Sequence, residues 1–432
     1  MGMTISEKIL AQHCRKQQVA PGQIVWVDVD VLMTHDVCGP GTIGIFQEQF
    51  GKDARVFDPS KIVIIPDHYI HTEDPTCRRN VDILRRFVKE QNIEHFYDPG
   101  TESYRGVCHV GLPQAGHTRP GEILLGTDSH TCTHGAFGEF ATGIGNTEAG
   151  FVMGTGKLWL RVPATMRFVF EGELPERVMA KDMILKIIGD IGVDGATYRA
   201  MEFAGATVKA CCLEERMTLC NMAIEAGAKN GIIVPDKKVE DYVKQRDHSG
   251  KKYTLLNNDP DAKFHSEKSY RAKEIEPMVA QPHSPANVAS ARKLKGTGID
   301  RVYIGSCTGG KTTDMLAAAA LLVGKTVKID TFVVPATTEV DRDLDEQKIS
   351  GKSLRQVFEQ AGCKIGLPSC AACLGGPEDT FGRVNEPMRC LSTTNRNFPG
   401  RMGHKKAEVF LASPMTAAAT AINGNISDPR DI

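Results

Sequence analysis

The feature that most constrains the fold of this chain is the alternation of short apolar runs with helical patterns, which continues over most of its length. Runs such as KIVIIP, EILLG, RVYIG and KIGLP are short and end at polar or glycine residues, as strands do. Parallel strands need a crossover segment between them, and that segment is usually a helix. The alternation therefore predicts an α/β protein with mainly parallel sheets.

Two breaks in the pattern suggest how the chain divides. A new helical pattern, PERVMAKDMILKIIGDIG, follows the strand-like MRFVFEG, and a segment from about 236 to 290 is rich in charge and turn residues. A chain of 432 residues is also too long for one ordinary core. We predict three domains, covering residues 1–175, 176–280 and 281–432.

Charge and hydropathy exclude several classes of partner. The chain has 52 Lys and Arg residues against 53 Asp and Glu residues, so no global field attracts nucleic acid or an anionic membrane. The first twenty residues contain no apolar core or cleavage site, and no apolar run reaches the roughly 18 residues of a membrane span. We therefore expect a cytoplasmic protein with a small-molecule site, which binds neither nucleic acid nor membrane.

Four of the apolar runs end in reactive residues. Asp67 and His68 follow KIVIIP, Thr127 to His130 follow EILLG, Ser306 and Cys307 follow RVYIG, and Ser369 and Cys370 follow KIGLP. In open parallel sheets, ligands bind in the crevice at the carboxyl ends of the strands. The four segments are therefore candidates for one common site.

The stretch GSCTGGKT, at 305–312, fits the phosphate-binding pattern G-x-x-x-x-G-K-[ST]. A nucleotide hydrolase also needs an acidic residue at the tip of a later strand to hold magnesium. The nearest candidate, Asp330, comes before its apolar run instead of after it, and Cys307 has no role in such a loop. A nucleotide-binding loop stays the alternative from a different class.

Three cysteines favour a metal site instead. The chain has 13 cysteines, an odd number that argues against a closed disulfide framework. Cys370 and Cys373 form a C-x-x-C pair, which by itself suits a redox dithiol, a zinc site or an iron–sulfur cluster. With Cys307 they make three thiolates, and a cluster that normally takes four would then keep one iron open to substrate.

The segments GTDSH, GSCT, PSCAACLGG and TTNRNFPGRMG, in this order, resemble the aconitase family of cluster-dependent hydro-lyases over nearly the whole chain. The resemblance implies an aconitase-like α/β fold of three α/β/α domains, with the active site at the carboxyl ends of parallel strands between them. It also implies that Cys307, Cys370 and Cys373 bind a [4Fe–4S] cluster, one iron of which has no protein ligand.

The implied reaction moves a hydroxyl group between adjacent carbons by removing water and adding it back. It requires an acid, a base and cations for two carboxylates. By the resemblance, the acid–base groups are Asp67, His68, His109, Asp128 and His130. The substrate-binding residues are His35 beside Asp36, Ser129, Lys311, Asn395, Arg396 and Arg401, and the residues that help hold the cluster are Asn221 and Glu225.

The chain departs from the family pattern in two places. Gly309, Gly310 and Lys311 stand where many relatives have Asn-Gly-Arg or Asn-Ser-Ser, so the substrate contact of Lys311 is the weakest of these expectations. The family's swivelling fourth domain, which carries the serine that acts as C–H base, is absent. We therefore expect a separate small subunit with that serine. The expected substrate is isopropylmalate, with homocitrate and dimethylmalate as alternatives.

Overall fold

The computed structural model describes residues 2–432, which form both helices and strands. Within this range the α-helices α1 to α13 span Ile5–His13, Gly39–Phe50, Pro75–Gln91, Cys108–Gln114, Asn146–Thr155, Ala180–Ile191, Ala206–Ala210, Leu213–Asn221, Lys237–Arg246, Thr312–Leu322, Thr338–Glu346, Leu354–Ala361 and Pro414–Asn423. Short 3-10 helices span Pro59–Lys61, Ser129–Phe137, Met222–Ala226, Ala272–Glu274, Ala371–Leu374 and Pro429–Asp431.

The strands β1 to β20 span Ile24–Asp28, Val31–Thr34, Ile62–Ile64, His95–Phe96, Ile123–Gly126, Phe140–Gly143, Lys157–Arg161, Thr165–Glu171, Ala200–Ala204, Asn230–Ile232, Ser266–Arg271, Met278–Ala280, Val288–Ser290, Arg301–Ile304, Asp330–Val333, Lys348–Ile349, Lys352–Ser353, Lys364–Ile365, Arg389–Ser392 and Glu408–Ala412. Most of them belong to three sheets. The first has the order β4-β3-β2-β5-β6, the second β10-β9-β8-β11 and the third β13-β12-β20-β19-β14-β15-β18.

Parallel pairing dominates these sheets, so the predicted α/β class is confirmed. Every pair in the first and second sheets is parallel, and in the third sheet only the pairs made by β12 are antiparallel. Strands β2 and β5 are buried at every position. Burial on both faces is typical of central parallel strands that helices cover on each side.

The four apolar runs that precede reactive residues form strands in two different sheets. KIVIIP and EILLG contain β3 and β5 of the first sheet, and RVYIG and KIGLP contain β14 and β18 of the third. The reactive residues therefore come from the carboxyl ends of strands in two sheets. The site lies where these ends meet.

The predicted domain limits stay a prediction. Strand β8 of the second sheet precedes residue 175, whereas the other strands of that sheet, β9, β10 and β11, follow it. One apolar cluster joins residues of the second and third sheets, and the three cysteines Cys307, Cys370 and Cys373 belong to it. Among residues 2–432, no helix is long and apolar enough to cross a membrane.

Candidate active site

Asp67 and His68 form a buried ion pair just after β3. Asp67 Oδ1 lies 2.5 Å from His68 Nδ1, and Asp67 Oδ2 accepts a hydrogen bond of 2.8 Å from the Cys108 backbone N–H. Burial lowers the pKa of His68, but the Asp67 carboxylate outweighs it and raises that pKa to about 9. His68 is therefore protonated at neutral pH.

Asp36 holds the backbone that carries this pair. Its Oδ1 accepts hydrogen bonds from the Asp67 and His68 backbone N–H groups, at 2.9 and 3.1 Å, and its Oδ2 accepts one of 2.7 Å from Tyr69. Three amides that point at one carboxylate fix the chain direction after β3. The orientation of His68 is thus set by Asp36 as well as by Asp67.

Asp128 lies at the centre of four imidazoles. It follows β5, and its Oδ1 lies 3.0 Å from His109 Nε2 and accepts 2.7 Å from the His130 backbone N–H. Its Oδ2 lies 3.8 Å from His68 Nε2 and 3.9 Å from His35 Nε2. Burial raises the pKa of Asp128, but the neighbouring histidines outweigh it and hold the pKa well below its usual range.

A second series of charged side chains connects His130 to the loop that contains Arg396 and Arg401. His130 Nε2 lies 2.8 Å from Glu225 Oε1, and the Arg396 Nε–H donates to both Glu225 oxygens, at 3.0 and 3.1 Å. Glu225 is buried, and burial raises its pKa, but its bonds to His130 and Arg396 outweigh that and lower it. Arg396 is thus anchored by Glu225, and so is the ring of His130.

Arg401 lies close to Arg396 and Glu225 and is half-buried. Burial lowers its pKa, and the charge of Arg396 lowers it further, whereas Asp128 and Glu225 act in the opposite direction. Its buried Nε has no hydrogen-bond partner within the described part of the chain. Two guanidinium groups held near each other are suited to an anion with two carboxylates.

Cys307 follows β14 and is buried against two asparagines. Its Sγ accepts hydrogen bonds from the side-chain amides of Asn221, at 3.2 Å, and Asn395, at 3.4 Å. Burial and the Asp128 charge raise the pKa of the thiol to about 11, although the Asn221 bond lowers it. A cation bound to this sulfur would displace the proton, and the two amide donors would stabilise the thiolate.

Cys370 and Cys373 lie around the short 3-10 helix Ala371–Leu374, and their sulfurs are joined as a disulfide. The sequence predicts free thiolates at these positions, so this is a difference. Its reason is the C-x-x-C spacing, which brings the two Cα atoms to 5.6 Å, within the range that a disulfide requires. The Cys370 backbone N–H donates 2.9 Å to the Asp67 carbonyl, which ties this segment to the Asp67–His68 pair.

Lys311 has a different environment from the predicted one. Its Nζ lies 2.9 Å from Thr218 Oγ1, 3.1 Å from the Cys307 carbonyl oxygen and 2.7 Å from Asp314 Oδ2. An ammonium group has three donors, and all three are directed at protein atoms. The expected substrate contact of Lys311 is therefore corrected to a structural role inside the loop.

The glycine amides of the same loop also face protein atoms. Gly305 N–H donates 2.8 Å to Thr393 Oγ1, and Gly310 N–H donates 2.8 Å to the Ser306 carbonyl oxygen. A phosphate-binding loop directs such amides at its ligand. Together with the buried Lys311, this argues against the nucleotide-binding alternative.

The segment 305–312, which contains Cys307, is called the cysteine loop below. Sequence reasoning missed two structural supports of this loop. Lys181, from α6, is fully buried and donates to Thr308 Oγ1 at 3.2 Å, to the Thr394 carbonyl at 2.6 Å and to the Thr393 carbonyl. Burial lowers its pKa to about 7. The available signal was a lysine at the start of the apolar helical pattern AKDMILKII, where an unpaired charge would be costly.

The second missed support is helix α8, which contacts the loop along its whole length. Glu214 near its start accepts from the Thr313 hydroxyl at 2.6 Å, Thr218 in its middle binds Lys311, and Asn221 at its end binds Cys307. Asn221 and Glu225 do not lie in one α-helix as their i, i+4 spacing predicts, because α8 ends at Asn221 and Glu225 lies in a 3-10 helix.

Two further residues lie at the margin of the site. Ser129 is partly exposed, and its Oγ is 3.5 Å from His130 Nδ1, which is the limit of a hydrogen bond. His134 was not predicted. It is fully buried with its ring centre 5.9 Å from that of His109, and burial holds its pKa well below the usual range.

The structure thus brings together the predicted residues, with Lys311 turned away. Among residues 2–432, six buried atoms around the site have no hydrogen-bond partner, namely His35 Nε2, His109 Nδ1, both ring nitrogens of His134, Asn395 Oδ1 and Arg401 Nε. Such atoms are costly unless a ligand pairs with them. They mark the surface at which a polar ligand fits.

Comparison with known proteins identifies the family of the chain. The family model "Aconitase family (aconitate hydratase)" matches residues 7–295 and 286–424. The "3-isopropylmalate dehydratase large subunit, chloroplastic" of Arabidopsis thaliana is 57% identical over 443 residues, which cover 100% of this chain and 87% of the relative.

Two more distant relatives align equally fully. The "3-isopropylmalate dehydratase large subunit 1" of Methanopyrus kandleri is 48% identical over 100% of this chain and 99% of its own length. The "3-isopropylmalate dehydratase large subunit" of Aquifex aeolicus is 44% identical over 100% of this chain and 98% of its own length. The α/β fold, the order of the motifs and these full-length matches lead to one conclusion: the chain belongs to the aconitase family.

Proposed function

We propose that this chain is the large, catalytic subunit of a hydro-lyase of leucine biosynthesis that interconverts 2-isopropylmalate and 3-isopropylmalate by dehydration and rehydration. The observation that carries the proposal is Asp128, one partly buried carboxylate among four histidines, beside a loop whose cysteine accepts two amide hydrogen bonds. The names of relatives at 44% to 57% identity supply the substrate.

In this proposal Cys307, Cys370 and Cys373 hold a [4Fe–4S] cluster, one iron of which has no protein ligand. Such a cluster supplies a Lewis acid for the hydroxyl group that departs. The chemistry of the donor set fits it, because all three cysteines are buried and the Cys307 sulfur already accepts two amide N–H groups. Cys370 and Cys373 bind it only as thiolates, so an added dithiol, which supplies two electrons by thiol–disulfide exchange, must first open their disulfide.

The proposed acid is the imidazolium of His68. Asp67 binds its Nδ1, which leaves the proton on Nε2 to protonate a leaving hydroxyl group. The raised pKa, about 9, keeps that proton in place at neutral pH. Asp67 and Asp36 act by positioning the ring, and a carboxylate at Nδ1 also compensates the charge of the imidazolium.

His109 and His130 are proposed to accept and return protons on the other side of Asp128. The bond of His109 Nε2 to Asp128 is made by an N–H in the neutral ring, so its unpaired Nδ1 carries the lone pair. His130 is held between Asp128 and Glu225. Both rings are thus oriented by a carboxylate, which is a general way to fix a tautomer.

The carboxylates of the substrate are proposed to bind Arg401, Arg396 and Asn395, with His35 and Ser129 at the margin. Arg401 offers an unpaired Nε–H, and Arg396 is held in place by Glu225. Arginine in a buried site binds carboxylates with charge-assisted hydrogen bonds, each worth about 1.5–3 kcal/mol. Lys311 has no part in this clamp.

The proposal includes a separate small subunit, which carries the swivelling domain and the serine that removes the C–H proton. Its support is the words "large subunit" in the names of the relatives. A cytoplasmic location also belongs to the proposal, although the Arabidopsis relative is named for the chloroplast. Fractionation of the source cells tests the location directly.

The function is tested with anaerobically purified chain, reconstituted with iron and sulfide, with and without the small subunit of the same organism. We expect a brown protein that bleaches in air, and turnover of 2-isopropylmalate only when both subunits are present. Cys307→Ser should lose both colour and activity, whereas the matched control Cys363→Ser, at an isolated buried cysteine, should keep them. Turnover by the large chain alone, or a colourless protein that holds zinc, would contradict the proposal.

A further inference from the structure

The two-stranded sheet of β1 and β7 has an unusual exposed face. The two strands pair antiparallel, with Ile24 opposite Arg161, Trp26 opposite Trp159 and Asp28 opposite Lys157. These three pairs point outward, because the alternate positions, Val25, Val27, Leu158 and Leu160, are buried. The outward face is called the tryptophan ribbon below.

The tryptophans of this ribbon are the only two in the chain. Trp26 is 63% exposed and Trp159 is 51% exposed, and they form the central one of the three outward pairs. An exposed indole forgoes the free energy that burial of its apolar surface would contribute. Tryptophan is also the residue type most enriched at the centre of protein–protein interfaces. The charges that flank the tryptophans indicate which partner fits this face.

We propose that the tryptophan ribbon is an interface with a second copy of this chain, packed face to face about a two-fold axis parallel to the strands. This axis places β1 of one copy on β7 of the other. Trp26 then faces Trp159, and Asp28 faces Lys157, in both directions. Two of the three facing positions are thus complementary, the tryptophans and the Asp28–Lys157 positions, whereas Arg161 faces Ile24. Within each chain Asp28 already lies 3.7 Å from Lys157 and 3.1 Å from Arg15, so the dimer would join these charges into one larger cluster.

The other face-to-face arrangement, with the axis across the strands, is unfavourable. It places Lys157 of one copy on Arg161 of the other, and Asp28 on Ile24. Like charges in direct contact are destabilising in a sheet. The sequence of charges along the two strands therefore selects one orientation.

The ribbon alone is too small for a tight complex. Five residue pairs cover roughly 17 Å by 10 Å, and a stable interface buries about 800 Å² on each partner. The tryptophans would then be its centre, with neighbouring elements as a polar rim. We expect a dimer that dissociates in the micromolar range, on the order of 1 μM to 100 μM.

The experiment uses the full chain in sedimentation velocity and in tryptophan fluorescence over the same concentration range. Because both indoles lie in the ribbon, the emission reports its burial directly. As the concentration increases, we expect the sedimentation coefficient to change from that of a monomer to that of a dimer. The tryptophan emission should shift to shorter wavelength over the same range. Trp26→Glu and Trp159→Glu should remain monomeric, whereas Trp26→Phe, which keeps the apolar surface, should still dimerise. Thermal unfolding of each variant checks its fold.

A charge exchange tests the orientation. Asp28→Lys and Lys157→Asp should each weaken the dimer at least tenfold, and mixing the two variants should restore it, because opposite charges then meet at both contact points. A dimer that Lys157→Asp strengthens has the other orientation and contradicts the proposal. So do a chain that remains monomeric at every concentration, and an emission shift that appears only when the small subunit is added. The proposed catalytic function does not enter any of these measurements.

Discussion

Two regions of the candidate site differ in how completely their polar groups are paired. Inside the cysteine loop, the ammonium groups of Lys181 and Lys311 each have three oxygen partners from the protein. Around the expected ligand, by contrast, His35, His109, Asn395 and Arg401 each keep one buried atom without a hydrogen-bond partner in residues 2–432. The paired groups of the first region stabilise the loop, whereas the unpaired groups of the second are available to a ligand.

The physical reason is the cost of burying a polar group. A paired group contributes about 0.5–1.5 kcal/mol, whereas an unpaired one costs about 1–3 kcal/mol. Unpaired buried groups are therefore unfavourable unless a ligand or a water molecule compensates them. Substitutions in the first region should therefore reduce stability, and substitutions in the second should reduce substrate binding or turnover.

The largest expected effect is that of Lys311→Met, which leaves the buried Asp314 carboxylate without its cation. Breaking a buried ion pair on one side costs about 3–5 kcal/mol, and urea unfolding of the chain should show that loss. In the double variant Lys311→Met/Asp314→Leu most of the stability should return. If the single variant lost less than about 1 kcal/mol, the support assigned to Lys311 would be wrong.

Asp67→Asn should reduce turnover by about 10²–10⁴-fold, because His68 loses the carboxylate that keeps it protonated. The pKa of His68 is raised to about 9, so its charged form stabilises the fold fully below its usual pKa of 6.5, and this contribution is lost as the pH rises through about 9. Activity of the unaltered enzyme should fall in the same upper range.

In Asp67→Asn this alkaline limb should move to lower pH, because burial lowers the pKa of His68 when the carboxylate is absent. The pH profile of kcat/KM measures it. Asp30→Asn is a suitable control, since Asp30 pairs in the same way with His13 outside the site. An alkaline limb that stays near pH 9 in Asp67→Asn would assign it to another group.

Arg401→Met should raise KM by roughly 10–100-fold, the equivalent of one lost charge-assisted contact. Its stability should be unchanged or higher, because a guanidinium whose buried Nε is unpaired is removed. Urea unfolding and steady-state kinetics on the same preparation separate the two effects. A large loss of stability with normal KM would place Arg401 among the supporting residues instead.

The smallest effect is expected for Ser129→Ala, below about threefold in kcat/KM, since its hydroxyl lies 3.5 Å from His130 and contributes little. Thr131→Ala, two residues away, is the matched comparison. The Thr131 hydroxyl donates 2.6 Å to the Asp128 carbonyl oxygen and is fully buried, so its loss should reduce stability more. Equal losses of stability in the two variants would contradict the assignment of Ser129 to the edge of the site and of Thr131 to its structural support.

Local pattern was sufficient for the strands and for the residues that follow them. β3, β5, β14 and β18 lie where the apolar runs predict them, because the alternation of apolar runs and helical patterns is encoded over a few neighbouring residues. The aconitase-family motifs likewise picked out the cysteines and the Asp-His segments before any contact was known. The catalytic and binding roles of these residues stay predictions.

Contacts between distant segments could not be obtained in that way. His130 and Glu225 are 95 positions apart, and Lys181 and Thr394 are 213 positions apart, so only packing of the sheets determines that they meet. The same is true of Lys311. Its place in a phosphate-loop pattern and its place in a family motif both suggested a ligand, and its direction depended on Thr218 in α8.

The amino-acid sequence by itself thus determined the α/β class, the aconitase-family membership and the set of reactive residues, because periodicity and motifs are local. Only the tertiary structure decided which polar groups are paired and which are left for a ligand, and that the two tryptophans stand side by side on one exposed face. These depend on which segments become neighbours, and that is settled by the burial of surface over the whole chain.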